Sequence, residues 1–389
     1  MKEGWEYKTL GEVGLFISGY TPKKNELNSS SGTPYFKVSD MNRLENQITL
    51  TYSDLYIKTP KKIFPKGSIV FPKNGGAIYT EKKRFLSQDS VIDLNSEAIL
   101  ADENYIIKEY LFYFLSSIKI SSFDNGGGLP SININRMKEC SVPLPNIDEQ
   151  RRIVSYLDSS FKLIDEIKNK APKSLTEAKA LFQSALAEVM EPKEGWEEKT
   201  LGEIATEMYR GSGIKRDQIT PIGFPCLRYG EIYTTYNYSF SECISHTNES
   251  IISPKKYFEK GDILFAITGE SVEDIGKCIA YTGKEKCLLG GDIVAMKHNQ
   301  YPQFLAYALS TKEAIRQKGL GKAKLKVVHT NIPALKTIRI YLPNISTQKQ
   351  IVSRLDKLSS KVRAIEEKYQ KMVEECDALK QAMLRDVFE

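Results

Sequence analysis

A twelve-residue stretch near the start of the chain, Lys2-Glu-Gly-Trp-Glu-Tyr-Lys-Thr-Leu-Gly-Glu-Val13, recurs as Lys193-Glu-Gly-Trp-Glu-Glu-Lys-Thr-Leu-Gly-Glu-Ile204. Ten of the twelve positions are identical, and the only two tryptophans, Trp5 and Trp196, fall at equivalent places. Self-similarity at a fixed offset is the signature of a repeated structural unit. The 389-residue chain is therefore predicted to hold two copies of one unit.

Each copy has two parts of different composition. The first is rich in Gly, Pro, Tyr and short β-branched runs broken by turn residues, which predicts an α+β domain. The second contains almost no glycine and has helical periodicity. The predicted segments are two similar α/β domains at 1–147 and 192–345, each followed by a long helix, at 148–191 and 346–389.

Apolar residues in the two helical segments alternate at spacings of four and three, the heptad pattern of a coiled coil. Because the second helix leaves the second domain and must return along the first, we expect antiparallel pairing and an approximate two-fold relation between the copies. Pro172 predicts a kink or short break in the first helix. The predicted pairing seam is Ile153, Leu157, Ile164, Ile167, Leu181, Ile351, Leu355, Leu358, Val362, Ile365, Met372 and Leu379.

Two similar domains held apart by a helical spacer suit a DNA duplex read at two half-sites. The domains differ outside their shared motifs, so each is expected to read a different half-site around an unread gap. Arg and Lys can contact guanine edges or phosphates, Asn reads adenine, and Ser and Thr bind phosphates. Solvated surface loops have the same composition, so this signal is weak for each cluster alone. The candidate DNA-binding residues are Thr21, Lys23, Lys24, Lys37, Ser39, Asn42, Lys73, Asn74, Lys82, Lys83, Arg84, Arg210, Ser212, Lys215, Arg216, Arg228, Tyr229, Thr234, Lys322, Lys324 and Lys326.

Composition and motifs argue against several other classes of protein. The net charge of +6 is mild, and the surplus falls mainly on the two domains. The six cysteines are far apart and only three histidines occur, which argues against a disulfide framework or a zinc site and favours a cytoplasmic protein. No apolar run approaches the roughly 20 residues of a membrane span. No complete nucleotide-binding, methyltransferase or nuclease motif is visible, and Gly269–Lys277 is interpreted as a turn between strands.

The whole chain resembles the specificity subunits of Type I restriction–modification systems. The resemblance rests on the paired Gly-Trp-Glu-x-Lys-Thr-Leu-Gly-Glu openings and on Gly19-Tyr-Thr-Pro22. It also rests on the Lys-Gly-[Ser/Asp]-Ile-x-Phe strands, and on Gln150 or Gln348 followed by Ile-Val at the start of each helix. Arg228-Tyr-Gly-Glu-Ile-Tyr233 likewise looks like a recurring form of the family's recognition domain.

The resemblance implies a non-catalytic chain that binds double-stranded DNA at an asymmetric bipartite site. It also implies two modification (methyltransferase) subunits docked on the paired helices, with restriction (motor-nuclease) subunits joining the full complex. Adenine methylation or cleavage would then be performed by these partners. The chain itself would carry no cofactor, and S-adenosylmethionine, ATP and magnesium would belong to its partners.

Three alternatives stay open at this stage. One is the specificity chain of a Type II-like restriction–methylation enzyme, another is a coiled-coil scaffold without sequence-specific DNA binding, and the third is an enzyme with unrecognised motifs. The scaffold would explain the heptads but leaves two divergent basic domains without a role. The identity of the neighbouring partner genes would separate these alternatives.

Overall fold

The computed structural model describes residues 4–272, 274–320 and 328–389, with side chains at all of these except 170–172. In the first copy the elements are β1 (Glu6–Thr9), α1 (Leu10–Val13), β2 (Gly14–Ser18), β3 (Leu27–Asn28), β4 (Thr33–Phe36), β5 (Thr49–Leu50), β6 (Tyr56–Ile57), β7 (Ile69–Pro72), β8 (Arg84–Leu86), β9 (Val91–Ile92), β10 (Ser96–Ala101), α2 (Lys108–Ser117), α3 (Ile134–Lys138), β11 (Ser141–Leu144) and α4 (Ile147–Val189). Short 3₁₀ turns cover Lys24–Glu26, Val38–Asn42, Leu44–Asn46, Gly76–Thr80 and Ile120–Phe123.

The second copy repeats this order with a few additional elements. They are β12 (Glu197–Thr200), α5 (Leu201–Ile204), β13 (Ala205–Arg210), β14 (Ile219–Thr220), β15 (Phe224–Leu227), α6 (Tyr229–Thr234), β16 (Ser239–Phe240), β17 (Ser245–Thr247), β18 (Tyr257–Phe258), β19 (Ile263–Ala266), β20 (Thr268–Gly269), β21 (Cys278–Tyr281), β22 (Cys287–Leu289), β23 (Ile293–His298), α7 (Pro302–Ala308), α8 (Lys312–Gly319), β24 (Val328–His329), α9 (Ile332–Lys336), β25 (Arg339–Leu342) and α10 (Ile345–Phe388). Two 3₁₀ turns cover Arg216–Gln218 and Glu249–Ile251.

Corresponding sheets have the same strand order in the two copies. The main sheet runs β2-β10-β7-β8-β5 in the first copy and β13-β23-β19-β21-β16 in the second. A second sheet runs β3-β6-β4-β9, with the counterpart β14-β17-β15-β22-β18. The first strand of each copy pairs with the strand that precedes the long helix, as β1-β11 and β12-β25. The predicted α+β tandem repeat is therefore confirmed.

The chain divides into two compact units that share the long helices. Unit 1 contains Met1–Ala171 together with Gln370–Glu389, and unit 2 contains Pro172–Tyr369. Each unit thus combines one domain with the beginning of its own helix and the end of the other. The predicted segments 1–147, 148–191, 192–345 and 346–389 divide the chain by repeat, and these boundaries stay a prediction.

Within each unit the two helical segments run antiparallel. In unit 1, Asp165 bonds Lys380 at 2.6 Å and Lys168 bonds Asp377 at 2.7 Å. Partner numbers fall as α4 advances, which only antiparallel helices allow. In unit 2, Lys179 bonds Glu366 at 2.7 Å and Glu188 lies 3.6 Å from Arg354, so the partner numbers again fall as α4 advances. The predicted antiparallel pairing is therefore present in both units.

Aromatic side chains anchor the incoming helix end in each unit. In unit 1 the ring of Phe388 lies 5.1 Å from that of Tyr110 and 5.7 Å from that of Phe114, both on α2. In unit 2 the ring of Phe182, on α4, lies 6.3 Å from that of Tyr307 on α7. Such aromatic pairs bury large apolar areas and favour tilted or edge-to-face geometry. Each domain core is therefore completed by a helix that belongs to the other copy.

The residues of the predicted seam differ in burial along the two helices. Leu157, Ile164, Ile351 and Leu355 are buried, while Ile153, Leu358, Val362 and Met372 are half-buried. The seam prediction is wrong for a second group, which is exposed to solvent by 38–71%: Ile167, Leu181, Ile365 and Leu379.

The failure has a geometric cause. A straight α-helix has 3.6 residues per turn, so a strict heptad drifts by about 20° per repeat. From Ile153 to Leu181 this amounts to about 80°, which is close to the ~100° between neighbouring residues. Accordingly Phe182, one residue later, is buried at 6% exposure whereas Leu181 is 71% exposed.

The predicted short break at Pro172 is not found, because α4 is one helix from Ile147 to Val189, and the predicted kink stays a prediction. Proline inside a helix removes one hydrogen bond and costs about 3 kcal/mol. A 43-residue helix that packs against a domain at each end can offset that cost.

Candidate DNA interface

Four loops of the first copy meet at one end of its sheets through main-chain hydrogen bonds. The amide of Gly19 donates to the carbonyl of Ser96 at 3.1 Å, and that of Asp93 donates to Phe36 at 3.0 Å. The amide of Lys73 donates to Asn95 at 2.8 Å. A fifth loop joins through the bridge between Asn74 and Ser131. We call residues 19–25, 37–43, 73–83, 93–95 and 124–131 the loop end of copy one.

The second copy builds the same frame from different residues. The amide of Gly211 donates to the carbonyl of Ile293 at 2.9 Å, and that of Gly290 donates to Leu227 at 3.0 Å. The amide of Ile267 donates to Asp292 at 3.0 Å. We call residues 211–217, 228–234, 267–272, 274–275, 290–292 and 328–331 the loop end of copy two.

A basic residue follows the central strand at each loop end. Phe36 pairs with Ile92 in copy one and Leu227 with Leu289 in copy two, so the next residues, Lys37 and Arg228, are equivalent. The amide of Lys37 donates to the Asp40 carboxylate at 2.7 Å, and that of Arg228 to the Glu231 carboxylate at 3.1 Å.

In both places the carboxylate accepts a hydrogen bond from the backbone amide of the basic residue and not from its side chain. No hydrogen bond or ion pair holds the Lys37 ammonium or the Arg228 guanidinium within the described part of the chain. These two cations are therefore available to a ligand such as a guanine edge or a phosphate.

Most predicted DNA-binding residues of the described loops are accessible. Arg228, Lys73, Asn74 and Lys82 are half-buried. The exposed ones are Thr21, Lys23, Lys24, Lys37, Ser39, Asn42, Arg210, Lys215, Arg216, Tyr229 and Thr234. Lys322, Lys324 and Lys326 lie outside the described residues.

The prediction is wrong for Lys83 and Arg84, which point into the domain. The Lys83 ammonium is 3.3 Å from the Glu81 carboxylate, and its burial lowers its pKa despite that carboxylate. The Arg84 guanidinium donates to the carbonyls of Asn46 at 2.6 Å and Met41 at 3.2 Å. These cations hold neighbouring loops together, because buried charges need such partners.

Other candidates are engaged within the protein. Ser212 is buried and its hydroxyl donates to the carbonyl of Pro254. The Lys73 ammonium donates to the buried Glu97 carboxylate at 2.9 Å. The prediction of a DNA contact is wrong for the Ser212 hydroxyl, and Lys73 acts first as the partner of Glu97.

Two further candidates are held only at the surface. Arg210 bonds the Asp292 carboxylate at 2.7 Å, and Lys82 bonds the Asn42 amide oxygen. An exposed pair of this kind contributes little to stability, and DNA can displace it.

The sequence prediction missed several loop-end residues of copy two. Thr268 and His329 belong to the paired strands β20 and β24, and the Thr268 hydroxyl is 3.1 Å from Nδ1 of His329. They are the counterparts of Asn74 and Ser131, which form the equivalent bridge in copy one. The buried strands β7 and β19 are equivalent and lie 194 residues apart in the sequence. Adding this offset to Asn74 gives Thr268, so the sequence repeat alone could have identified that residue.

Two loop ends that share a main-chain frame and differ in basic and polar side chains define a tandem DNA-recognition protein. The chain belongs to the family of the Type I restriction modification DNA specificity domain, whose model matches residues 2–177 and 193–375. DNA recognition within a Type I restriction–modification complex is the role of this family, and members supply specificity rather than catalysis. Their partners are DNA and the methyltransferase and restriction subunits.

Individual relatives agree with this assignment. The EcoR124I/EcoR124II specificity subunit of Escherichia coli is 28% identical over 189 residues, which cover 45% of this chain and 45% of that protein. The chain thus spans about half the length of that relative. The MjaVIII specificity subunit of Methanocaldococcus jannaschii is 25% identical, over 92% of this chain and 87% of that protein.

The fold has a counterpart among solved structures. A chain from a structure that addresses the assembly and conformational transition of the type I R-M system superposes with a TM-score of 0.74 at 20% identity. The match covers 99% of this chain and 97% of that one. Among the residues that the structure describes, no helix combines the length and apolar character of a membrane span.

Proposed function

We propose that this chain recognises an asymmetric, bipartite DNA site in which each copy reads one half and the base pairs between the halves are not read. The observation that carries the proposal is one main-chain frame with two different sets of loop-end side chains. Lys37 in copy one corresponds to Arg228 in copy two. Lys73 and Glu97 form an ion pair in copy one. By strand register their counterparts in copy two are Ile267 and Val294, which are both apolar. Equivalent loops with different chemistry favour different base sequences.

The test is to map methylation in a host that lacks other methyltransferases, after co-expression of the chain with its modification subunit. We expect a single motif with two short defined halves around a fixed gap. Exchanging 1–147 for the same segment of another specificity subunit should change one half only. An active complex that methylates without sequence preference would contradict the proposal.

We further propose that two modification subunits dock on the long helices and that restriction subunits complete the assembly. Tyr156, Leu163 and Ile167 on α4 are exposed by 57%, 61% and 52% and recur at helical spacing. Clustered apolar side chains of this kind mark interaction surfaces. S-adenosylmethionine, ATP and magnesium would be bound by those partners.

The docking proposal is tested with a substitution on this stripe and a matched control. Leu163→Asp should weaken co-purification of the modification subunit, because the interface would bury an unpaired charge. Asn169→Asp adds the same charge at an exposed position of the same helix and should leave co-purification unchanged. Equal recovery with both variants would place the docking surface elsewhere.

A further inference from the structure

The loop end of copy two contains a cavity of about 500 Å³. One side is formed by α6, with Tyr229, Gly230 and Thr234, and the other by Thr268, Gly269 and Glu270. The size lies within the range of pockets that bind small molecules. The cavity therefore has room for a nucleobase edge.

The inner wall of the cavity is preformed. The Tyr233 hydroxyl lies 3.1 Å from the carbonyl of Thr268 and 3.2 Å from that of Asp274, so it joins α6 to the facing loop. A Cβ at Gly269 would lie 3.1 Å from that hydroxyl, so a larger residue there would press on Tyr233. On the other side Thr268 is held by the pairing of β20 with β24. A ligand therefore meets walls that are already in position.

Two groups face the opening with different chemistry. Tyr229 is 40% exposed and offers an aromatic face, while the Glu270 carboxylate is exposed and has no hydrogen bond or ion pair within the described part of the chain. The Asp274 carboxylate, in contrast, accepts from the Ser271 hydroxyl at 2.7 Å. An ionised carboxylate only accepts hydrogen bonds, so it repels phosphate and pairs with an amino group.

We propose that this cavity reads one base of the half-site assigned to copy two, and that Glu270 selects a base with an exocyclic amino group in the major groove. In the major groove, the amino groups at cytosine N4 and adenine N6 can donate a hydrogen bond to such a carboxylate. The adjoining Tyr229 ring contacts the same base edge. This inference rests on the proposed function and adds the chemistry of one base position to it.

Copy one cannot read a base in this way. The counterparts of Thr268, Gly269 and Glu270 are Asn74, Gly75 and Gly76, so no carboxylate stands at the equivalent position. An amide such as that of Asn74 reads adenine by donating and accepting together. The two halves of the site are therefore expected to differ at equivalent positions.

Two substitutions and one control test the proposal in the complete methyltransferase complex. Glu270→Gln changes an acceptor into an amide at an exposed position, where folding is little affected. Gly230→Ala adds a methyl group to a residue that lines the cavity. A Cβ there meets nothing within 4 Å, and alanine is favoured over glycine in a helix, so the fold should be kept. Glu285→Gln is the control, since Glu285 is exposed between β21 and β22, at the opposite end of the sheets.

The readout is the methylated motif and the relative rate of methylation on duplexes that differ at one base pair. We expect Glu270→Gln and Gly230→Ala to relax the same single position by roughly 5- to 150-fold, as for loss of one base contact. That position should lie in the half that changes when 192–345 is exchanged. The control should keep the wild-type motif.

Two results would overturn the inference. One is an unchanged motif with unchanged rate ratios in both variants, and the other is an equal loss of rate on every sequence, which indicates contact with the DNA backbone. Neither result affects the bipartite reading by the wild-type chain. Failure of the proposed function would appear separately, as a wild-type complex without any motif.

Discussion

Replacing Gln150 with methionine should destabilise unit 1, because this buried amide joins α4 to the domain before it. Its oxygen accepts from the amide of Ile107 at 3.0 Å. Its nitrogen donates to the carbonyls of Tyr105 at 2.9 Å and Pro145 at 3.0 Å. Gln150 itself is fully buried, so water does not replace these bonds.

The size of the effect follows from the groups left without a partner. Methionine has nearly the same shape but neither donates to the carbonyls nor accepts strongly from the amide. A buried polar group that loses its partner costs about 1–3 kcal/mol. The amide of Ile107 and the carbonyl of Pro145 both lose theirs, which gives a loss of about 2–6 kcal/mol. For a unit of this size, where 1 kcal/mol shifts the midpoint of thermal unfolding by about 2–4 °C, that midpoint should fall by roughly 4–24 °C.

Thermal unfolding and amide exchange at Ile107 are the assays, with Gln381→Met as the control because Gln381 is an exposed glutamine of the same unit. Gln348→Met should act alike in unit 2, where the Gln348 amide bonds Tyr301 and Pro343. An unchanged midpoint together with unchanged exchange at Ile107 would refute the reasoning, since the bonds would then contribute nothing.

The remaining predictions concern the helix register, pH and DNA contact. Phe182→Ala should lower the free energy of unfolding by about 3–5 kcal/mol, and Leu181→Ala should lower it by less than about 0.5 kcal/mol. Urea titration measures both values, and the reverse order would refute the observed helix register. Burial lowers the pKa of His298 to about 4. Because the unfolded side chain titrates near 6.5, unit 2 should lose stability as pH falls from about 6.5 to 4, and His298→Asn should remove this loss in urea titrations at several pH values. Arg228→Ala should relax one base position at a cost of about 1–3 kcal/mol, whereas Lys24→Ala should weaken binding to all sequences evenly, as measured by titration of duplex variants.

The repeat and the two long helices could be predicted from the sequence because each produces a regular pattern of residues. The repeat produces identical stretches in the two copies, and the helices produce heptads. Sequence identity between the two copies can be seen without knowing how side chains pack, and a heptad pattern that continues along a whole segment is typical of a long helix. The details of the seam could not be predicted in the same way. Whether Leu181 or Phe182 faces the partner depends on the accumulated twist of a long helix, and the heptad count hides this twist.

The loop-end residues were only partly predictable, because composition does not say which way a side chain points. Lys82, Lys83 and Arg84 are three consecutive cations, yet Lys83 and Arg84 are buried and only the charged group of Lys82 is accessible. Glu270 does not stand out in the sequence, because Gly269–Lys277 lacks the spacing of a phosphate loop. A carboxylate in a turn has no sequence signature until the cavity around it is known.

The main-chain bonds that hold each loop end have an evolutionary consequence. The amides of Gly19, Asp93, Gly211 and Gly290 donate to carbonyls, and a main-chain bond of this kind is present whatever side chain its carbonyl partner carries. Mutations at the exposed positions between these anchors therefore alter what is contacted at little cost in stability. A lineage carrying this fold could therefore drift from one set of exposed loop-end side chains to another through intermediates that still fold.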